Sequence, residues 1–483
     1  MADRGTAAGR SLRRITWLLL GSWSVLCAGV AGSAHAQSSQ PSPPPLTTLR
    51  YDEDYASLRD PAARTGAWWE PLKYIPLNKT GDVYVTVGAE LRLRYEGFEN
   101  NTWGQEPAPD DGYLWYRALP LADLHLGPHV RLFGQLIAAW AEGKEPSESP
   151  IDETGVDLLQ GFADVTLPLG DEHTRLTLRP GRQLLSYGSE RLIGIRYGPN
   201  VLRTFDGVKS FLHAGGWRVD GFYARPVASE RDAFDDQSDD TVSIWSLYAT
   251  RGLPVGQGTG LDLYYIGYDN DAAAFNQGMG SERRHTVGAR LFGQAQGWDW
   301  DWEAIYQFGE FADGDIAAWS VASSTGYTLA TVPLKPRLGL KANIISGDHD
   351  PGDRDLQTFN PLFPKGKYFG ELALLGPQNL INLHATLDLQ LGGGWSVNGA
   401  VVLYWRESTG DGIYDFGGNL IRGDGGSHTR FIGTQAEVVL TYEHSRHLDA
   451  MLAYGQFHPG AYINDTGPSK TVHFVAAELR FRF

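Results

Sequence analysis

From Trp298 to Phe308 the chain alternates. Trp298, Trp300, Trp302, Ala304, Tyr306 and Phe308 share one parity, and Asp299, Asp301, Glu303 and Gln307 share the other. A period of two is the signature of a strand whose faces meet unlike surroundings. The pattern recurs. Val83, Val85, Val87, Ala89, Leu91, Leu93 and Tyr95 oppose Thr86, Glu90, Arg92, Arg94 and Glu96. Ile381, Leu383, Ala385, Leu387, Leu389 and Leu391 oppose Asn382, His384, Thr386, Asp388 and Gln390.

Alternation also suits a soluble sandwich, so the connections must separate the two folds. Tight turns fall near Gly127-Pro128, Gly170-Asp171, Gly215-Gly216, Val255-Gly256, Gln296-Gly297, Pro333, Gly392-Gly394 and Ser445-Arg446. Between them lie longer polar stretches near 98–112, 142–156, 189–200, 227–240, 270–282, 312–316, 347–378, 408–429 and 458–469. Short turns alternating with long loops predict an all-β chain. The expected fold is a closed antiparallel transmembrane β-barrel of about 18 strands, with short periplasmic turns and long extracellular loops.

Lipid then fixes the register. A charge facing the bilayer midplane costs about 2–4 kcal/mol for Arg or Lys, and less for Asp or Glu. The apolar parity is therefore expected outside and the charged parity inside. Trp217, Trp298 and Trp395 each follow a turn glycine, as an interfacial aromatic girdle requires. The chain ends in Phe483, with Val475, Ala477, Leu479 and Phe481 on its parity. Composition agrees. Gly (59) and aromatics are abundant, and a mean hydropathy of −0.29 excludes a polytopic helical membrane protein. One Cys excludes a disulfide framework and a Cys-based zinc site, and a net charge of −16 argues against nucleic acid.

Residues 1–36 read as a secretory signal peptide: four arginines, an apolar run over 15–30, and Ala34-His35-Ala36 as the cleavage site. Removing the leader takes the net charge to about −19. Residues 37–80 read as a Pro-rich linker followed by a periplasmic or plug-like arm, and 81–483 as the barrel. The expected location is the outer membrane, with outer-membrane lipid around the barrel.

Inward parity predicts a mixed, water-filled lumen. Its basics include Arg92, Arg94, Arg131, Arg175, Arg179, Arg218, Arg290, Arg337, Lys341, Arg406, Arg480 and Arg482. Its acids include Glu90, Asp164, Asp220, Asp262, Asp299, Asp301, Glu303, Asp388, Glu437, Glu443 and Glu478. A second basic set, Arg182, Arg191, Arg196, Arg203 and Lys209, sits among glycines and suggests guanidinium groups converging at a rim or pore loop. Arginine's planar fork suits carboxylates. The competing reading is internal salt bridging with lumen acids.

No GxSxG, HExxH or P-loop occurs, so no enzyme, cofactor or nucleotide is expected. Asp299, Asp301 and Glu303 read as one polar strand face rather than a glycosidase acid pair. Asp348, Asp350, Asp353 and Asp355 have Ca²⁺-like spacing but lack the closing Glu of an EF-hand, which leaves a weak Ca²⁺ candidate beside an expectation of no metal.

Several stretches resemble the alginate-export family of outer-membrane proteins. They are GFADVTLPLGDEHTRLTLRPGRQLLSYGSERLIGIRYGPNVLRTFDGVKSF (161–211), GGWRVDGFYARPV (215–227), FPKGKYFGELALLGPQNLINLH (363–384), YWRESTGDGIYDFGG (404–418), RFIGTQ (430–435), YEHSRHL (442–448), RYDEDYASLRDPA (50–62) and the FRF end. The resemblance implies a monomeric 18-stranded barrel passing an acidic polysaccharide through an arginine-lined channel, with Arg182, Arg191, Arg196 and Arg203 touching the polyanion. Periplasmic secretion partners would assist. Two alternatives stay open: an uptake porin for anions or sugar acids, and a secreted β-rich polysaccharide-binding protein.

Overall fold

The computed structural model describes residues 44–147, 149–170 and 173–483. The leader predicted over 1–36 lies outside the described residues, as does Asp171 of one predicted turn.

Eighteen antiparallel strands close on themselves. The first six are β1 (Val83–Glu99), β2 (Asp111–Leu126), β3 (Val130–Glu142), β4 (Thr154–Pro168), β5 (Arg175–Gln183) and β6 (Phe205–Ala214). Next come β7 (Trp217–Ala228), β8 (Val242–Gly252), β9 (Gln257–Phe275), β10 (Gly278–Ala295), β11 (Trp298–Phe311) and β12 (Gly314–Thr328). The last are β13 (Arg337–Ile345), β14 (Leu380–Gly392), β15 (Trp395–Arg406), β16 (Phe431–Ser445), β17 (Leu448–Pro459) and β18 (Val472–Arg482). Pairing of β18 with β1, Phe481 opposite Leu91, seals the seam. Closure leaves no unpaired backbone edge in hydrocarbon.

The parity argument holds along the wall. Leu91, Leu93, Trp302, Tyr306, Phe308, Leu383 and Leu387 are exposed, whereas Arg92, Arg94, Glu303, Gln307, Asn382 and His384 are buried. Trp298 and Trp395 lie outward at the short-turn rim, packed on Tyr327 and Tyr442 of the neighbouring strands. The two-residue turns Gly215-Gly216 and Gln296-Gly297 have positive φ at both positions, the mirror-image geometry that matches strand twist.

Two predicted loops are corrected. The stretches at 270–282 and 312–316 are not loops: β9 to β12 run on to the turns Asn276-Gln277 and Ala312-Asp313. A strand that outgrows the bilayer needs no apolar outer face, so polar composition misreads as a loop.

The interior also departs from a uniformly wet lumen. The loops 184–204 and 346–379 fold inward and meet, with Ile193 bridging Phe363 and Gly194 N–H donating to the Phe363 carbonyl at 2.7 Å. Leu185, Leu192, Ile193, Phe359, Phe363 and Phe369 from these loops pack on Phe205, Phe222, Ile244 and Ile266 of the wall. This apolar core forms on the inner face because loops, rather than water, cover it.

Residues 44–80 follow the inner wall near the short turns. They form three 3-10 turns, Arg50–Asp52, Ala56–Arg59 and Pro61–Ala63, a helical turn Glu70–Lys73, and a strand Ile75–Pro76 paired with β1. Tyr51 meets Phe133 and Phe162 edge-on at 5.9 and 5.5 Å. Each such ring pair contributes about 0.5–1.5 kcal/mol beyond area burial. The Tyr51 hydroxyl donates to the Leu184 carbonyl at 3.2 Å, which ties this arm to the base of the 184–204 loop. Arg50 donates to the Phe483 carbonyl at 2.6 Å, clasping the chain end at the seam.

Candidate functional site

Antiparallel register sets the chemistry of the wall. Arg131 stands opposite Asp164, Arg290 opposite Asp262 and Glu303, and Arg337 opposite Asp388. Opposite charges facing each other across strands attract, so the inner face is laced with ion pairs. Arg179 forks Asp164 at 2.6 and 2.7 Å. Arg337 forks Asp299 at 2.8 and 2.6 Å and reaches Asp388 at 3.1 Å. Basic and acidic strands thus interleave and neutralise one another rather than setting up one lateral field.

Cavities with clustered cations open in the lumen. The inner one, about 670 Å³, is lined by Arg131, Arg175, Arg179, Lys209, Arg218 and Arg290 together with Asp52, Asp164, Asp220 and Asp262. Tyr51 of the arm forms part of its wall. The middle cavity, about 220 Å³, brings together Arg191, Lys341 and Lys365 with Asp301. Asp301 already accepts from Arg191 at 2.9 Å and from Arg290 at 2.5 Å. Among the described residues, neither Lys341 nor Lys365 has a carboxylate within 4.0 Å. Burial, with Arg191 adjacent, holds the Lys365 ammonium below its ordinary range. The outer cavity, about 390 Å³, is lined by Arg196 and Arg203, with Lys144 and Lys367.

The lumen therefore holds chambers that carry charged groups, beside inward loops, inside a barrel that is apolar outside. The family described as alginate export matches residues 83–477. The chain belongs to the alginate-export family. As such an alginate-export barrel it is an outer-membrane channel. Solved structures share the architecture. A BenF-like porin from Pseudomonas fluorescens Pf-5 is 9% identical, with a TM-score of 0.56 over 83% of this chain and 98% of that one. Pseudomonas aeruginosa OpdO is 11% identical, TM-score 0.55, over 83% and 97%. Pseudomonas aeruginosa OccK2 in complex with glucuronate is 10% identical, TM-score 0.54, over 83% and 98%. At such identities they speak for the fold alone. None of the curated proteins compared matches this sequence.

The alginate-export barrel divides the sequence-predicted cations into two groups. Arg92, Arg94, Arg182, Arg337 and Arg406 are held by bonds within the protein, although the buried Nε of Arg92 has no partner among the described residues. Arg92 donates to the carbonyls of Tyr197, Gly198 and Pro199, and so anchors the 184–204 loop. Arg94 is fully buried among Glu96, Glu371 and Glu478 at 2.6, 2.7 and 3.0 Å. Arg182 forks Asp206 at 2.8 and 2.9 Å. Arg406 donates to the carbonyls of Thr409, Asp411, Ser427 and Thr429 and stacks on Tyr462. Arg218 forks Asp220 but stays half-exposed to the inner chamber. Arg191 is paired yet lines the middle cavity, beside Lys341, which has no acid partner among the described residues. Arg196 and Arg203 line the outer cavity without an acid partner among the described residues.

Lys365 was missed from sequence. Its signal was the Pro-Lys-Gly-Lys run at 364–367, where glycine and proline bend a loop back on itself.

The weak Ca²⁺ candidate is corrected. Asp350, Asp353 and Asp355 are exposed and cap N–H groups of Gly352, Asp355 and Asp315. Asp348 is buried against Asp411, which accepts its N–H at 3.0 Å. The four carboxylates do not converge, because each serves its own turn. Among the described residues, the one carboxylate trio within mutual ligand reach is Asp157, Asp235 and Asp236.

Proposed function

We propose that this barrel conducts an anionic polysaccharide of the alginate type outward across the outer membrane. It does so as a monomer, fed by periplasmic secretion partners at the short-turn rim. The observation that carries the reading is the middle cavity, where Lys341 and Lys365 line open space with no counter-ion among the described residues, beside the paired Arg191. Inside a narrow, partly desolvated pore such charges are poorly screened, so they attract carboxylates locally despite the acidic whole. Paired wall residues supply a wet, near-neutral track on which a polyanion slides without sticking. Passage is driven by the polymer's own gradient or by extension from behind. In this reading the arm is an inner stopper, because Tyr51 packs into the lumen wall and touches the base of the 184–204 loop.

The test is planar-bilayer conductance of the purified protein with polymannuronate added on the periplasmic side. Wild type should be blocked, and Lys341→Gln with Lys365→Gln should weaken block about tenfold, as expected for two charge-assisted contacts. Equal block in both would remove the role of the lysines. No block in wild type would remove the polymer. Tyr51→Ala should raise the open-state conductance severalfold; unchanged conductance would refute the stopper.

A second reading, an uptake channel for single sugar acids, is favoured by one feature. The Ile193–Phe363 bridge splits the lumen into chambers of a few hundred Å³, the volume of small-ligand sites. Block by monomeric uronate as strong as by polymer would select it.

A further inference from the structure

On β8 an arginine stands on the lipid side of the wall. Thr250 points inward and donates to Asp262 at 2.8 Å, so Ala249 and Arg251 point outward with the exposed Leu247. Arg251 is exposed, one residue before the strand ends at Gly252. It faces Trp217 across β7, and its guanidinium lies 5.3 Å over that ring. Among the described residues, no carboxylate comes within 4.0 Å of it. A lipid-facing arginine is costly at the midplane and tolerated at the interface, which places Arg251 at the headgroup level of the short-turn rim.

Beside this cation the wall is hollow. Arg251 stands opposite Leu261, Leu261 opposite Leu291, and Leu291 opposite Trp302. Leu261, Leu291 and Trp302 line a groove of about 410 Å³, together with Ala289, Ala304 and Val321. Ala289 and Ala304 face each other across β10 and β11, and their short side chains leave the depth that a larger residue would fill. Trp302 is held in place as a wall, because its Nε1–H donates to Thr325 Oγ1 at 3.0 Å. Ser323 also lines the groove and donates its hydroxyl to the Ala342 carbonyl at 3.3 Å. Trp217 is the first residue of β7, whereas Trp302 is the fifth of β11. The row of partners therefore climbs from the rim into the hydrocarbon, as tilted strands require.

We propose that this part of the outer face holds one anionic phospholipid of the periplasmic leaflet, with an acyl chain in the groove and its phosphodiester on Arg251. The cation at the rim and the apolar groove above it match the two ends of such a lipid. A guanidinium fork suits phosphate oxygens, and Trp217 covers one face of it while leaving its donors at the edge. With no acid beside Arg251 among the described residues, an ammonium headgroup meets only like charge, so phosphatidylglycerol is favoured over phosphatidylethanolamine. The site lies outside the lumen and is independent of what the channel conducts.

Native mass spectrometry of the purified barrel in detergent tests it, with phosphatidylglycerol, phosphatidylethanolamine and diacylglycerol titrated separately. Phosphatidylglycerol should be retained about tenfold more tightly than the other two. Arg251→Gln should weaken it about tenfold, as expected for one charge-assisted contact, and leave diacylglycerol unchanged. Ala304→Phe, which fills the groove, should weaken all three. Arg283→Gln removes another exposed cation, paired with Asp269 at 2.9 Å, and should change nothing. Heat-modifiable gel migration confirms that each variant is a closed barrel. If Ala304→Phe fails to close, Arg251→Gln decides, since Arg251 is exposed and pairs with no acid among the described residues. Equal retention of the three lipids by wild type overturns the site, as does wild-type affinity for phosphatidylglycerol in Arg251→Gln or in closed Ala304→Phe. A loss in Arg283→Gln as large as in Arg251→Gln also overturns it, because the attraction would then belong to the whole surface.

Discussion

The wall of this barrel and the loops inside it differ in how most of their positive charge is met, although the wall's Lys341 lacks a carboxylate among the described residues and the loops' Arg191 and Lys367 have one. On the wall, Arg94, Arg131, Arg179, Arg290 and Arg337 each meet a carboxylate on their own or a nearby strand. On the loops, Arg196, Arg203 and Lys365 meet none among the described residues. The difference is one of geometry. A strand ladder repeats at fixed spacing, so a charge at one position has a facing position where its partner can be placed. A loop folded into the lumen has no such ladder and presents its side chains to open space. Arginine content alone thus says little about binding: most lumen arginines hold the barrel together, and a few are left to meet a solute.

The largest expected effect breaks the wall side of the comparison. Arg94→Ala would strand Glu96, Glu371 and Glu478 together in a buried site. Removing one partner of a buried pair costs about 3–5 kcal/mol, so the urea midpoint for unfolding should fall sharply. A midpoint within error of wild type would mean these pairs do not stabilise the wall. Next, Lys365→Gln should leave that midpoint within about 0.5 kcal/mol, as for sites outside the core network, while reducing anion block. A large loss of stability there would erase the distinction between wall and loop cations.

The smallest effect sharpens the comparison on the acidic side. Asp348 lies in the 346–379 loop, and burial beside Asp411 pushes it up to about 6 from an ordinary 3.8. The folded loop therefore binds a proton that the unfolded chain releases. Its contribution is fully present below about pH 4 and is lost as the pH rises through about 6. Hydrogen-exchange protection of this loop, taken relative to the intrinsic rate at each pH, should rise between pH 7 and pH 5, and Asp348→Asn should abolish the rise. Protection that is flat with pH in wild type would remove the assignment.

Much of the barrel was legible because its signals are local. Parity along 298–308 placed Trp302 outside and Glu303 inside from sequence alone, and Gly215-Gly216 marked a tight hairpin. The polar extensions of β9 to β12 were misread because strands beyond the bilayer lose their apolar face. The cations of the lumen were legible by residue type and not by role. Arg182 and Arg203 look alike in sequence, yet Arg182 falls within reach of Asp206 and Arg203 does not fall within reach of any described carboxylate.

The sequence by itself determined the closed cylinder, its outward grease and its inward charge. Alternation and turns act over a few residues, and lipid accepts only one register. Tertiary structure alone decided which charges cancel and where the 184–204 and 346–379 loops meet. Those contacts join residues over a hundred positions apart, such as Arg191 with Glu303 and Ile193 with Phe363, whose proximity follows from closure and not from any local pattern.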